Sequence, residues 1–264
     1  MRQPRGLLVD LDGVVYDGDG AIEGSAEALA ELRRRGMSLL FVTNTTSQPR
    51  SALVTKLAGF GIPAQADELW TPAAAASAWL PEHAPGPAAL FTPAVLKEDL
   101  AGVPTVAPDA ERGASSVVVG DLGRAWDYAK LNRAFRLLHY EPDAKLVALG
   151  MTRYWKAPDG ISLDVAPFVK ALEYATGREA IVLGKPARAF FHAAAAKLGL
   201  PPEDLLMIGD DVRGDVGGAQ QAGLQAALVR TGKFRESDLD GDVRPEAVID
   251  RLANAPALLF TNQA

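Results

Sequence analysis

The sequence predicts an α/β protein built on a parallel sheet, and three observations carry that expectation. Short apolar runs alternate with helical patterns along the chain, the signature of strands whose sheet is covered by helices on its faces. Three of the runs end in polar residues rather than ordinary turns. Leu7-Leu8-Val9 leads into Asp10-Leu11-Asp12-Gly13, Leu39-Leu40-Phe41-Val42 into Thr43-Asn44-Thr45, and Leu205-Leu206-Met207-Ile208 into Gly209-Asp210-Asp211. Between the second and third runs the composition changes, with prolines crowding from about Pro81 to Pro108. That change marks the entry to a separate module.

Taken in order, Leu7–Val9 is the first strand, and Ser25 to Arg35 an amphipathic helix with Ser25 as its cap and Gly36 just past its end. Leu39–Val42 is the second strand, followed by a helix from about Pro49 to Phe60. The module has strands at Ala88–Phe91, Val117–Val119 and Leu146–Leu149 and a helix from about Tyr128 to Leu138. Tyr154–Lys156 and Ile161–Leu163 flank Ala157-Pro158-Asp159-Gly160, which reads as a β-hairpin with its tip in the Pro-Asp-Gly turn. A helix from about Phe168 to Thr176, stopped by Gly177, closes the module. The first pattern then resumes with Ile181–Leu183 and Gly184-Lys185-Pro186, the proline suiting the first turn of a helix that runs to Leu198. The strand Ala226–Val229 and a helix from about Glu246 to Leu259 complete the chain. The expected division is thus 1–80 and 180–264 for the main fold and 81–179 for the inserted module.

Composition narrows the function classes. At 264 residues the chain is long for one domain and comfortable for two. A net charge of −6 supplies no basic field of the kind nucleic-acid binding needs, so no nucleic-acid partner is expected. The absence of cysteine excludes disulfides, thiolate zinc sites and a thiol nucleophile, leaving oxygen or histidine as metal ligands. The apolar run before Asp10 is too short for a signal-peptide core or a membrane span, so a cytoplasmic protein without a membrane partner is expected.

Asp10 and Asp12 are the most informative pair. Two carboxylates one residue apart at the mouth of an apolar sheet repel each other unless a cation or a hydrogen-bond network compensates. Magnesium, a hard ion that prefers oxygen ligands, is the natural compensator. Taken alone the segment reads equally well as a plain turn, with Asp12-Gly13 at its corner and Asp10 capping it. The other strand ends favour chemistry, because ligands bind at the carboxyl edge of open α/β sheets. Asp10 suits attack on phosphorus as a covalent nucleophile. Asp12 suits protonation of the leaving oxygen and later deprotonation of water. A phosphoryl group also needs neutralisation: Asp210 would bind the metal, Lys185 supply a fixed cation, and Thr43 with the amides near Asn44 supply donors. Lys185 also reads as a solvated surface lysine. Val119-Gly120-Asp121 imitates the Gly-Asp-Asp element but reads as a strand-end turn, and His83, His139 and His192 share no motif.

These residues are similar to the four motifs of the haloacid dehalogenase superfamily of aspartyl-phosphate-forming phosphohydrolases. Asp10-Leu11-Asp12-Gly13-Val14 resembles the first, Thr43-Asn44 the second, Gly184-Lys185-Pro186 the third, and Gly209-Asp210-Asp211 through Asp215 the fourth. The resemblance implies a Rossmann-like parallel-sheet core with an inserted α/β cap of the C2 type, the class IIA layout. Arg153-Tyr154-Trp155-Lys156, Ala171 to Gly177 and Val229 to Arg235 further resemble the subgroup that contains phospholysine phosphohistidine inorganic pyrophosphate phosphatase and haloacid dehalogenase-like hydrolase domain-containing protein 2. By that analogy a carboxylate oxygen of Asp10, the backbone carbonyl of Asp12 and the carboxylate of Asp210 hold Mg2+. Asp211 and Asp215 then orient metal-bound water or Lys185, while Asp215 also reads as the cap of a following helix. A homodimer through the cap is implied as well. The expected function is a magnesium-dependent phosphatase acting on a small phosphorylated substrate through an aspartyl-phosphate. A phosphotransferase or mutase of the same fold and a non-catalytic phosphate-binding module are the alternatives.

Overall fold

The computed structural model describes residues 2–157 and 160–260. The expected hairpin tip at Pro158-Asp159 lies outside the described residues. The chain divides into two compact units: residues 1–43, 50–70 and 185–264 form one, and 44–49 with 71–184 the other. The expected insert, 81–179, falls inside the longer segment of the second unit, Thr71–Gly184.

The first unit is organised by a six-stranded parallel sheet in the order Ala247–Ile249, Gln225–Val229, Leu205–Gly209, Gly6–Asp10, Ser38–Val42, Leu69–Trp70. Gly6–Asp10 is central and buried along its whole length. Its apolar residues therefore run continuously instead of alternating, as a strand covered on both faces requires. Leu7 stands opposite Leu206 on one side and Leu39 on the other. Leu7, Val9, Leu29, Leu32, Phe41, Leu53 and Leu57 pack together on one face, each side chain contributing about 1.5–3 kcal/mol through burial.

The helix Ser25–Arg34 buries Ser25, Ala28, Leu29 and Leu32, one stripe at helical spacing. Its cap position is Gly24, in the left-handed region, rather than Ser25. Ser25 is the first helical residue, and its hydroxyl donates instead to the Val14 carbonyl at 3.4 Å. The expected long C-terminal helix is also corrected. Ala247–Ile249 forms an edge strand beside Gln225–Val229, and α-helix begins only at Ala255, after a short 3₁₀ turn. A short apolar run such as Ala247-Val248-Ile249 fits either period. The neighbouring strand Gln225–Val229 supplies the partner that makes it β.

The second unit has its own parallel sheet, ordered Ile181–Val182, Lys145–Ala148, Ser116–Val119, Ala88–Phe91. Two helices, Tyr128–Tyr140 and Val165–Thr176, pack their apolar faces on it through Leu137, Leu138, Val169 and Leu172. Asp127 caps the first by accepting from the Lys130 amide at 2.7 Å, and Asp164 the second from the Val165 amide at 2.7 Å. That cap starts the second helix at Val165, ahead of the expected Phe168. Arg178 ties the elements together, donating to the carbonyls of Leu138 (2.6 Å), Glu141 (2.9 Å) and Ala144. Tyr154–Ala157 and Gly160–Leu163 pair antiparallel, with Tyr154 opposite Leu163.

Among the elements that were not expected are two that flank Thr71. Leu69–Trp70 is a two-residue edge strand, and Pro72–His83 is a helix begun by Thr71, whose hydroxyl accepts from the Ala74 amide at 3.1 Å. The helix is rich in alanine and carries no apolar-to-polar contrast that periodicity could detect. Ile181–Val182, expected to return to the first sheet, instead pairs with Lys145–Ala148 in the second. Pro186 likewise lies ahead of the helix it was expected to open, which begins at Arg188 with Ala187 at its cap.

Candidate active site

The candidate site lies at the carboxyl edge of the six-stranded sheet. Parallel pairing with Leu205–Gly209 on one side and Ser38–Val42 on the other brings two further strand ends to the same edge as Asp10. Asp10, Thr43 and Asp210 are there for that reason: each is the last residue of a buried strand or the first beyond it. Thr43 is buried, and its backbone amide donates to the Trp70 carbonyl at 3.2 Å. Asn44 belongs to the second compact unit and is exposed, with its Oδ1 near Gly184.

Lys185 opens the returning segment of the first unit, and its side chain is only 5% exposed. Its Nζ lies 2.8 Å from Asp10 Oδ1 and 2.7 Å from Asp215 Oδ1. Burial alone would drive the ammonium down. The two carboxylates reverse that and hold it above the usual lysine range. Burial raises the Asp10 carboxyl well above the usual carboxylate range, and Asp215 adds to the rise while Lys185 offsets part of it. Asp10 Oδ1 also accepts from the Leu11 amide at 2.8 Å.

Asp215 does not cap a helix. Its Oδ2 accepts from the Asp211 amide at 3.1 Å and its Oδ1 faces Lys185. Gly209 makes room for it, since a β-carbon there would lie 2.3 Å from the Asp215 side chain. The capping is done by Asp211, whose Oδ1 accepts from the amides of Arg213 (3.0 Å) and Gly214 (2.7 Å). Burial opposes ionisation of Asp211, but those amides and the Lys233 ammonium prevail and hold it below its ordinary range.

Asp12 is exposed where Asp10 is buried, so two carboxylates one residue apart occupy different environments. Gly13 follows at φ +80°, and a β-carbon there would come within 2.1 Å of Asp210 Oδ2. Only glycine allows the first loop to pass this close to the Asp210 carboxylate.

Asp210 is 1% exposed. Its Oδ2 accepts from the Lys233 amide at 2.8 Å, whereas Oδ1 is buried with no hydrogen-bond partner among the described residues. Burial pushes this carboxyl up to about 6, against the Lys233 amide, which favours the ionised form. An orphaned buried oxygen is costly and calls for a partner. Oxygens of Asp10, Asp210 and Asp215 all lie within 4.8 Å of one another. Four carboxylates, those of Asp10, Asp210, Asp211 and Asp215, face two ammonium groups, Lys185 and Lys233. An all-oxygen donor set with excess negative charge fits a hard divalent cation.

One further segment at this edge has no role that the sequence alone assigned. Thr231-Gly232-Lys233 follows the strand Gln225–Val229 and returns to the same edge. Thr231 Oγ1 donates to the Gly13 carbonyl at 2.5 Å, and Lys233 Nζ lies 3.4 Å from Asp211 Oδ2. A Thr-Gly-Lys sequence one residue past a buried strand was the available signal, close to the strand-end pattern that singled out Asp10 and Asp210. The three histidines are occupied elsewhere: His83 stacks on Trp79, His139 on Phe135, and His192 bonds to the Ala222 carbonyl at 3.0 Å.

The fold and this arrangement define a phosphohydrolase of the haloacid dehalogenase type, and comparison with known proteins agrees. Residues 7–103 match the family model of haloacid dehalogenase-like hydrolases and 182–255 that of HAD-hydrolase-like proteins. The chain belongs to the haloacid dehalogenase-like hydrolase family. It is 40% identical over 261 residues to the phospholysine phosphohistidine inorganic pyrophosphate phosphatase of Homo sapiens, covering 97% of this chain and 94% of the relative. It is 41% identical over 239 residues to haloacid dehalogenase-like hydrolase domain-containing protein 2 of Bos taurus, covering 90% and 89% respectively. Among solved structures, the p-nitrophenyl phosphatase of Archaeoglobus fulgidus superposes with a TM-score of 0.85 at 25% identity, over 97% of this chain and 100% of that one. The 4-nitrophenylphosphatase of Thermotoga maritima gives the same score and identity over 97% and 98%. Among the described residues no helix is long and apolar enough to cross a membrane.

Proposed function

We propose that this phosphohydrolase is magnesium-dependent and acts on a small phosphorylated substrate through an aspartyl-phosphate on Asp10. The observation that carries the reading is the buried contact of Lys185 with Asp10, 2.8 Å, set beside the unpartnered Asp210 Oδ1. It supplies a nucleophile, a fixed cation against it, and an oxygen in need of a metal. Asp10, the backbone carbonyl of Asp12 and Asp210 are the ligands the reading assigns. The ion, when bound, supplies charge neutralisation for the phosphoryl group.

In the first step an Asp10 carboxylate oxygen forms a bond to phosphorus as the bond from phosphorus to the leaving oxygen breaks. Asp12 delivers a proton to that oxygen. In the second step Asp12, now ionised, takes a proton from water as the water oxygen attacks phosphorus, and the acyl-phosphate bond breaks to restore Asp10. Exposure suits Asp12 to this exchange, and a contribution of roughly 10²- to 10⁴-fold is typical of general acid–base catalysis. Lys185 stays protonated throughout, held so by Asp10 and Asp215, and opposes the charge that builds on the phosphoryl oxygens. Thr43 and the Asn44 amide are read as the phosphate donors. Asp211 and Asp215 act through Lys233 and Lys185.

The second compact unit, 44–49 with 71–184, is read as the substrate-selecting cap of a cytoplasmic homodimer. The names of the relatives, which include a phospholysine and phosphohistidine phosphatase and nitrophenyl phosphatases, support small phosphorylated compounds as the substrate class.

Phosphate release from p-nitrophenyl phosphate, measured with magnesium, with chelator and with Asp10→Asn, tests the reading. Activity is expected only for the wild-type protein with magnesium. Turnover that survives chelation, or an active Asp10→Asn variant, contradicts it.

A further inference from the structure

We infer that the turn Thr231-Gly232-Lys233 sets the cation affinity of the site by buckling two strand-end loops together over Asp210, which makes Thr231 and Gly232 positioning residues. The inference rests on the magnesium-site reading above. It begins from topology. The turn leaves the strand Gln225–Val229, which neighbours Leu205–Gly209, which in turn neighbours Gly6–Asp10. Adjacent strands lie about 4.8 Å apart, so to touch the first loop the turn must reach across the end of the strand that carries Asp210.

It makes both contacts. Over Asp210 the Lys233 amide donates to Oδ2 at 2.8 Å, which fixes the carboxylate and leaves Oδ1 as the buried oxygen without a partner. Beyond Asp210 the Thr231 hydroxyl donates to the Gly13 carbonyl at 2.5 Å, in the residue after Asp12. Gly232 is what lets the turn lie so low. Its φ is +63°, and a β-carbon there would come within 2.0 Å of Asp210 Oδ2 and 2.6 Å of the Gly13 α-carbon. Gly13 abuts Gly232 and meets the same carboxylate, where a β-carbon would come within 2.1 Å of the same oxygen. The two glycines press together on one oxygen of Asp210, and that close fit decides which oxygen remains for a cation.

A carboxylate held by one oxygen loses less freedom when the other takes up an ion, and outer partners of metal ligands typically change affinity by about 10- to 100-fold. Neither Thr231 nor Gly232 is among the metal ligands or phosphate donors that the reading above assigns.

Magnesium binding to the full-length protein by titration calorimetry, for wild type, Thr231→Val, Thr231→Ser and Gly232→Ala, tests the inference, with the metal-free melting temperature of each recorded alongside. Thr231→Val is expected to bind magnesium about 10- to 100-fold more weakly with little change in melting temperature, and Thr231→Ser to restore binding. Gly232→Ala is expected to weaken binding further. The magnesium concentration for half-maximal phosphate release should shift by the same factor in Thr231→Val while kcat at saturating magnesium recovers. Thr231→Val that binds like wild type, or whose loss is not restored by Thr231→Ser, overturns the inference and leaves the magnesium reading standing. Wild-type protein that binds no magnesium overturns both.

Discussion

Lys185 Nζ lies 2.8 Å from Asp10 Oδ1 with both side chains buried, and it is the shared counter-ion of a second buried carboxylate, Asp215, at 2.7 Å. Removing the lysine therefore leaves two buried carboxylates facing each other. Lys185→Met is expected to cost about 3–5 kcal/mol of stability at neutral pH, the usual penalty for orphaning a buried charge, and to abolish phosphate release. Chemical denaturation and the p-nitrophenyl phosphate assay check the two effects. A second substitution, Lys185→Met with Asp215→Asn, should recover part of the stability and none of the activity.

The Asp210 carboxyl is pushed up to about 6 in the folded protein, against about 3.9 in an unfolded chain. Below about pH 4 both states hold the proton. Between there and about 6 the unfolded chain releases it while the folded one keeps it, so Asp210 lowers stability as pH rises through this window and adds no further loss above it. The raised Asp10 carboxyl extends the decline to higher pH. Asp211, held below its ordinary range, acts in the opposite sense at lower pH, so the Asp210 share is read as a difference between proteins. Without metal, the stability of Asp210→Asn relative to wild type is expected to rise between pH 4 and 6. A relative stability that stays flat or falls over that window contradicts the assignment.

Gly209 ends its strand against Asp215, and a β-carbon would sit 2.3 Å from that side chain. Gly209→Ala must push Asp215 away from Lys185 or shift the strand. The expected result is a loss of about 1–3 kcal/mol, the range for overpacking, together with reduced activity. Gly59, whose β-carbon position is open, provides the control: Gly59→Ala should leave both unchanged.

Arg178 donates to three carbonyls, those of Leu138, Glu141 and Ala144, at the end of one helix and the turn beyond it. Arg178→Met removes a charged donor from all three, and a loss of about 1.5–3 kcal/mol follows even if only one bond counts fully. Hydrogen exchange should quicken in 138–148 and 165–182, in the second unit, and leave the strand Gly6–Asp10 protected. Uniform acceleration across both units contradicts this account.

Much of the site was legible in local sequence. Asp10, Asp12, Thr43 and Asp210 each follow an apolar run, and a buried parallel strand keeps a continuous apolar signature that survives without knowledge of its neighbours. Lys185 was legible as a residue but not for the reason offered. The run before it, Ile181–Val182, pairs with Lys145–Ala148 in the other sheet, so the lysine marks a crossing between compact units rather than a fourth strand end of the first. Asp215 admitted two readings because spacing alone cannot separate a helix cap from a counter-ion; Asp211 takes the capping amides and Asp215 faces the lysine. Thr231-Gly232-Lys233 carried the strand-end pattern, yet its contacts reach residues 218 and 23 positions away in the chain. The C-terminal segment failed for a different reason, since Ala247–Ile249 is apolar at either period and only its neighbour makes it a strand.

By itself the sequence determined which elements end in carboxylates, hydroxyls and cations, the excess of negative charge, and the absence of any thiol, because these follow from residue type and from the short-range periods of strand and helix. Only the tertiary structure decided how those ends combine. Strand order sets Asp210 beside Asp10, Lys185 divides its charge between Asp10 and Asp215, and Gly13 and Gly232 press together on one oxygen of Asp210 so that the other is left without a partner among the described residues. The physical reason is that burial and charge pairing are properties of neighbours in space. A carboxyl is raised or lowered by groups that pairing across strands brings near, and that pairing joins residues far apart in the chain.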